Sequence, residues 1–242
     1  MLLVALPLLG LVARTRWARV LEVLTGETAL VALRLSLVVA TIAAAVSLLL
    51  GFPLAWALAR GTFRGKTFVR ALVVLPLVMP PVVAGVGLLA AFGRRGIVGS
   101  WLFDLFGIQV TFTTGATVLA ATFVSFPLAV LALEAGLRGM DERLEDAAAT
   151  LGATRWYLLR RVTVPLLGPQ IAAAAVLSWA RALGEFGATI TFAGNLQGRT
   201  QTLPLAVFER LQTDQEAAFA LSMLLIAVAF AVILALRGRF LR

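Results

Sequence analysis

Five stretches of this chain, at about residues 35–59, 68–92, 115–136, 169–193 and 217–236, are each apolar for long enough to cross a lipid bilayer. A helix needs about 20 such residues to span a hydrocarbon core ~30 Å thick. Hydrocarbon offers no partner to backbone N–H and C=O groups, so a segment inside it must bond to itself as a helix or close into a barrel. None of the five alternates apolar and polar residues as a membrane barrel strand does. The chain therefore reads as an all-α integral membrane protein, a polytopic helical bundle of five full spans plus one short N-terminal span. The short one, Leu2 to Ala13, reaches only ~18 Å at about 1.5 Å per residue. It lacks the basic start and small-residue cleavage site of a signal peptide, and reads as the second half of a first span.

Composition excludes the rival classes. Hydrophobic residues make up 61% and charged residues 14%, against about 45–50% and about 25% in soluble domains. A water-facing surface cannot be covered with so few charges, and disorder needs the opposite balance. With no Cys and no His, disulfides, thiol nucleophiles and imidazole bases are missing, as are the commonest soft-metal ligands. The net charge of +9 would suggest nucleic acid in a soluble protein. In a membrane protein it reflects basic cytoplasmic loops that also meet anionic lipid, and no nucleic-acid partner is expected.

Loop charge sets the expected orientation. Arg60, Arg64, Lys66 and Arg70, then Arg138, Arg143, Arg155, Arg160 and Arg161, then Arg237, Arg239 and Arg242 alternate correctly to share one face. Those twelve outnumber the eight on the other face, Arg14, Arg16, Arg19, Arg34, Arg94, Arg95, Arg199 and Arg210. The twelve are placed inside, with the C-terminus cytoplasmic, although the 14–19 cluster runs against the bias. Residues 1–242 read as a single transmembrane domain whose cytoplasmic loop is 137–168.

That loop has an order to it. Asp141, Glu142, Glu145 and Asp146 precede an Ala147–Ala149 run, and Arg155, Arg160 and Arg161 follow Gly152. Acids early and bases late complement a helix dipole. Gly152 suits a helix end at positive φ, and Thr154 or Thr150 suits the cap of a second helix that Pro165 stops. A short helix–turn–helix with a smooth alanine patch can slot into a partner's groove, while a merely solvated connection would look much the same.

Two resemblances choose between these. Asp146-Ala147-Ala148, Gly152 and Val162-Thr163-Val164-Pro165 resemble the EAA loop of ABC importer permeases, which reads Glu-Ala-Ala, Gly and Ile-x-Leu-Pro at the same spacing. Asp replaces Glu, with Glu145 beside it, and Val replaces both Ile and Leu. The resemblance implies that Glu145, Asp146, Ala147, Ala148, Gly152, Arg155 and Pro165 form the loop that docks into an ATP-hydrolysing subunit. Gly61-Thr62-Phe63-Arg64-Gly65-Lys66-Thr67 mimics a phosphate-binding loop, but has three residues between its glycines where four are required, and no strand precedes it. ATP and Mg are therefore expected on a separate subunit, with no cofactor bound by this chain and no enzymatic activity of its own.

The second resemblance lies in the spans. Span 169–193 carries Arg181 and Glu185, each costing about 2.5–3.5 kcal/mol at a helix centre exposed to lipid. Four residues apart on one helical face, they are expected to pair. They form either a structural ion pair or a gate on the route of an oxyanion, with Gly184 and Gly187 permitting a bend and Thr189 and Thr191 adding hydroxyls. Span 68–92 carries Pro76, Pro80 and Pro81, so its helix must kink or unwind. Leu75 to Gly85, Phe92-Gly93-Arg94-Arg95-Gly96 and Arg181 to Ile190 are similar to the molybdate/tungstate permeases. That resemblance implies a homodimer, two ABC ATPase subunits, an extracytoplasmic oxyanion-binding protein, and the inner (plasma) membrane of a prokaryote. Pro80, Pro81, Arg181, Gly184, Glu185, Gly187 and Thr189 become the candidate pathway residues. Sulfate/thiosulfate permeases share a Gly-Glu-Phe-Gly segment and stay as the nearest alternative. A secondary transporter or channel using Arg181 and Glu185 as an ion-coupling pair comes next, and a membrane-embedded enzyme last. Segments 94–114 and 194–216 would face the binding protein, with Trp101, Phe103 and Phe106 at the membrane interface.

Overall fold

Helix is the form every apolar segment takes, because each must satisfy its own backbone. The computed structural model describes residues 2–141, 143, 148 and 150–240, with 4, 233 and 235–240 as backbone. Its helices are α1 (Leu2–Arg14), α2 (Trp17–Thr25), α3 (Glu27–Arg60), α4 (Lys66–Val78), α5 (Pro81–Phe92), α6 (Ile97–Phe106) and α7 (Thr114–Gly139). After the loop come α8 (Arg155–Leu166), α9 (Gly168–Leu183), α10 (Gly187–Phe192), α11 (Leu203–Thr213) and α12 (Gln215–Phe240). Among the described residues, α3, α7 and the Gln215–Val232 stretch of α12 are long and apolar enough to cross a membrane unbroken.

Two expected spans are not continuous. Residues 68–92 form α4 and α5, which meet at a bend of 117°, so α5 turns back past the perpendicular. Met79 (ψ 133°) and Pro80 (ψ 135°) are both extended, and each precedes a proline that disfavours the helical region for its neighbour. Residues 169–193 form α9 and α10, separated at Gly184, Glu185 and Phe186. A further bend of 68° separates α8 from α9. At the N-terminal side, α3 starts at Glu27 rather than near 35. Arg34 interrupts the apolar run without interrupting the helix, and Glu27 in the first turn favours the dipole.

The centre of the bundle is α3 packed on α7 and α9. Small side chains let these helices approach closely: Ala40, Ala43, Ala121 and Ala182 are all buried between them. Hydroxyls join the same three helices, with Ser47 and Ser125 at 3.2 Å and Ser178 donating to the Ser125 carbonyl at 3.4 Å.

The two ends of the bundle differ. At one end, where α3 and α7 lead into the 60–70 and 137–168 loops, Arg138 donates to the Leu58 carbonyl. Leu158 and Leu159 of α8 share a cavity of about 590 Å³ with Phe52 and Trp56 of α3. At the other end, Thr114 donates to the Arg199 carbonyl and Gln197 to Thr28, each at 2.9 Å. The 94–114 and 194–216 segments therefore share that end. Two of the three arginines in the cluster that ran against the charge bias are held here by acids. Arg16 and Arg19 each reach Glu216 at 2.9 Å, and Arg19 reaches Asp214 at 3.3 Å. The Ala217 N–H and then the Arg19 charge hold the Asp214 carboxyl below the usual carboxylate range.

Candidate translocation site and coupling loop

Helix α9 ends at Gly184, whose N–H still reaches the Ala180 carbonyl but whose ψ of 11° leaves the helical region, so that the next N–H, of Glu185, bonds to Ala182 instead. Glu185 therefore sits in the break, past the end of the helix, and not on one helical face with Arg181 as the spacing alone suggests. The pair still forms: Arg181 Nη1 donates to Glu185 Oε2 at 2.8 Å. The other carboxylate oxygen, Oε1, accepts from the Ala188 N–H at 2.8 Å. Glu185 thus ties the end of α9 to the start of α10. Its side chain is only 2% exposed, that of Arg181 31%. A buried carboxylate with both oxygens engaged is tolerable, where an unpaired one is not.

The second break lies against the first. Helix α5 packs on α10, and a Cβ placed on Gly187 would come 2.5 Å from Pro81 Cβ. One placed on Gly85 would come 2.7 Å from Thr191 Cβ and 2.9 Å from the Ala188 carbonyl. Pro81, Gly184, Glu185 and Gly187 are therefore brought into one region, with Pro80 next to it. Thr189 is buried, and its hydroxyl has no hydrogen-bond partner among the described residues, whereas the Thr191 hydroxyl donates to the Gly187 carbonyl. Two interrupted helices meeting at a buried ion pair can change their mutual angle without breaking a continuous helical ladder. Among the described residues, no group of three His, Cys, Asp or Glu side chains could hold a metal ion.

In the 137–168 loop, Glu145, Asp146 and Ala147 lie outside the described residues. Gly152 has φ +83°, and the Ala153 N–H reaches back to the Ala148 carbonyl at 3.1 Å. This is the helix ending that favours glycine. Of the two threonines proposed as caps, Thr154 accepts from the Tyr157 N–H. Arg155 starts α8, which widens into a π turn at Leu159–Thr163 just before Pro165. Proline cannot donate to the carbonyl four residues back and its ring would clash there, so a wider turn relieves the conflict.

One cluster escapes sequence reasoning. Glu134, buried near the end of α7, accepts from Arg70 of α4 and pairs with Arg138 at 2.9 Å. Its signal was present, as a carboxylate at the edge of an apolar span with an arginine four residues on. Its partner Arg70, 64 positions away, was not legible. Of the interface aromatics, Trp101 and Phe106 are exposed, and Arg94 stacks over Phe103 at 4.1 Å.

A family model described as the binding-protein-dependent transport system inner membrane component matches residues 47–241. The molybdenum transport system permease protein of Mycobacterium tuberculosis is 46% identical over 236 residues, covering 98% of this chain and 89% of the relative. The sulfate transport system permease protein of Escherichia coli is 37% identical, over 99% of this chain and 88% of the relative. Among solved structures, a bacterial alginate ABC transporter in complex with an alginate pentasaccharide-bound periplasmic protein has a chain of the same fold. Its TM-score is 0.73 at 20% identity, over 96% of this chain and 86% of that one.

Proposed function

This chain belongs to the family of binding-protein-dependent transport system inner membrane components, and we propose that it is the permease subunit of an ATP-driven importer of molybdate or tungstate. The observation that carries the substrate is the 46% identity to a molybdenum permease across 98% of the chain, against 37% for a sulfate permease.

In this reading the chain works as a homodimer with two ATPase subunits and an extracytoplasmic oxyanion-binding protein. The end that gathers the 60–70 and 137–168 loops is cytoplasmic, as is the C-terminus. The 137–168 loop docks into the ATPase, with Glu145, Asp146, Ala147, Ala148 and Gly152 at the contact and Arg155 and Pro165 in the connection to α9. ATP-driven closure of the partners pulls this loop. The bend between α8 and α9 passes the movement to α9, whose other end carries Arg181, Gly184 and Glu185. There α10 shifts against α5 through Gly187 and Pro81, opening and closing the pathway in alternation. Arg181 favours an oxyanion electrostatically, and Glu185 holds the guanidinium in place while the pathway is shut.

The test is reconstitution in proteoliposomes with the cognate ATPase and binding protein. Molybdate-loaded binding protein is expected to raise ATPase activity and drive uptake, with sulfate-loaded protein doing neither. Uptake that persists with a hydrolysis-dead ATPase would overturn the importer reading, and stimulation by sulfate alone would transfer the assignment to the sulfate class.

A further inference from the structure

Helix α8 has two unlike sides. Leu158 and Leu159 turn toward Phe52 and Trp56 of α3. Trp156, Tyr157, Arg160, Arg161 and Pro165 line a separate cavity of about 600 Å³. Trp156 is 64% exposed and Tyr157 56%. The Arg160 guanidinium lies 5.1 Å from the Trp156 ring centroid, held in a cation–π contact. Neither Arg160 nor Arg161 has a carboxylate within ion-pair distance among the described residues.

The placement of α8 says what such a surface meets. It bends 68° away from α9, so where α9 enters the bilayer α8 runs nearer the membrane plane. It belongs to the end of the bundle that carries most of the basic loops. Trp and Tyr favour the headgroup layer, where one part of the ring is wet and another apolar. Exposed Val164 and Leu166 continue the apolar surface beside the arginines. A guanidinium presents a planar fork that matches two phosphate oxygens.

We propose that Arg160 and Arg161, framed by Trp156 and Tyr157, bind the phosphate diester of an anionic phospholipid, so that a lipid is seated on the helix that links the coupling loop to α9. The proposal rests on the cytoplasmic placement of this end, and goes beyond the transport reading by adding a lipid ligand. A free phosphate satisfies the arginines equally well. The aromatic rings and the exposed Val164 and Leu166 are what favour a ligand with an apolar body.

The test uses the full-length chain purified in detergent, incubated with phosphatidylglycerol and phosphatidylcholine, with retained lipid counted by native mass spectrometry. Wild type should retain phosphatidylglycerol in preference to phosphatidylcholine. Arg160→Gln and Arg161→Gln should each lower that retention about fivefold, while Arg95→Gln, at the opposite end, leaves it unchanged. Equal retention by the wild type and the double variant overturns the proposal. Displacement of the lipid by millimolar inorganic phosphate assigns the site to the free anion and overturns the lipid source. A double variant that keeps its lipid but loses the ATPase subunit shows a protein contact instead. Retention is read without transport, so its failure and the failure of the importer reading are separate results.

Discussion

Gly187 backs onto Pro81 so closely that a Cβ on the glycine would lie 2.5 Å from the proline's own Cβ. Both residues begin helices that follow a break, so the contact joins the two interrupted segments of the bundle. Gly187→Ala should force α10 off α5 and destabilise the chain by about 1–3 kcal/mol, the usual range for overpacking. Because the displaced helices carry the candidate pathway, uptake should fall further than thermal stability does. The paired measurement is melting temperature in detergent against uptake in proteoliposomes. An unchanged melting temperature would mean that the two helices are not packed as described.

The Arg181–Glu185 pair makes a different prediction, because Glu185 also accepts the Ala188 N–H. Glu185→Gln keeps one carbonyl oxygen for Ala188 but leaves a half-buried guanidinium without its counter-charge. Stability should drop by about 1–3 kcal/mol, and basal ATPase of the assembled transporter should change. Arg181→Gln strands the more deeply buried partner and should be the more damaging single change. The double variant should recover part of the loss, which a double-mutant cycle reads directly. Additive effects would show that the pair is not energetically coupled.

Gly152 is a case where conformation and space separate. Its φ is +83°, yet among the described residues nothing lies within 4 Å of a Cβ placed there. Gly152→Val therefore meets no steric obstacle and costs only the strain of a left-handed β-branched residue, of order 1–3 kcal/mol. That strain falls on the loop, not on the spans. The variant should insert and melt like wild type while losing copurified ATPase or coupled hydrolysis. Wild-type coupling would remove the loop from its proposed role.

How much of this was legible in the sequence depended on how local each cause was. The breaks at Met79–Pro80 and at Gly184 arise from residues at those positions, and proline and glycine announced them. The positive φ of Gly152 and the cap at Thr154 were equally local. What the residues could not state was direction. A largely apolar run of 25 residues at 68–92 is long enough to cross, and only the angle at Pro80 shows that its second half turns back. The converse holds for α3, which contains the expected span at about 35–59 but starts at Glu27, since hydropathy tracks lipid and not helix and α3 continues into the polar end. Contacts between distant segments, such as Pro81 with Gly187 or Arg70 with Glu134, follow from packing alone.

Glu134 supplies the last prediction. It is the buried acid of a three-residue cluster in which Arg70 comes from α4 and Arg138 from its own helix α7. Both arginines are partly solvated, with side chains 37% and 48% exposed, so removing either leaves the carboxylate one partner and water nearby. Arg138→Gln also deletes the donor to the Leu58 carbonyl, but it leaves α4 tied to α7. Arg70→Gln frees α4. Each single arginine change should therefore cost little stability, about 0–1 kcal/mol after solvent screening. Glu134→Gln removes the charge that holds both guanidiniums together and should cost more, about 1–3 kcal/mol. The functional readouts should divide the same variants differently. Arg70→Gln and Glu134→Gln both release α4, next to the 60–70 loop, and should raise basal ATPase relative to substrate-stimulated ATPase; Arg138→Gln should not. If all three variants change that ratio alike, the cluster acts through its net charge and not as a tie between α4 and α7.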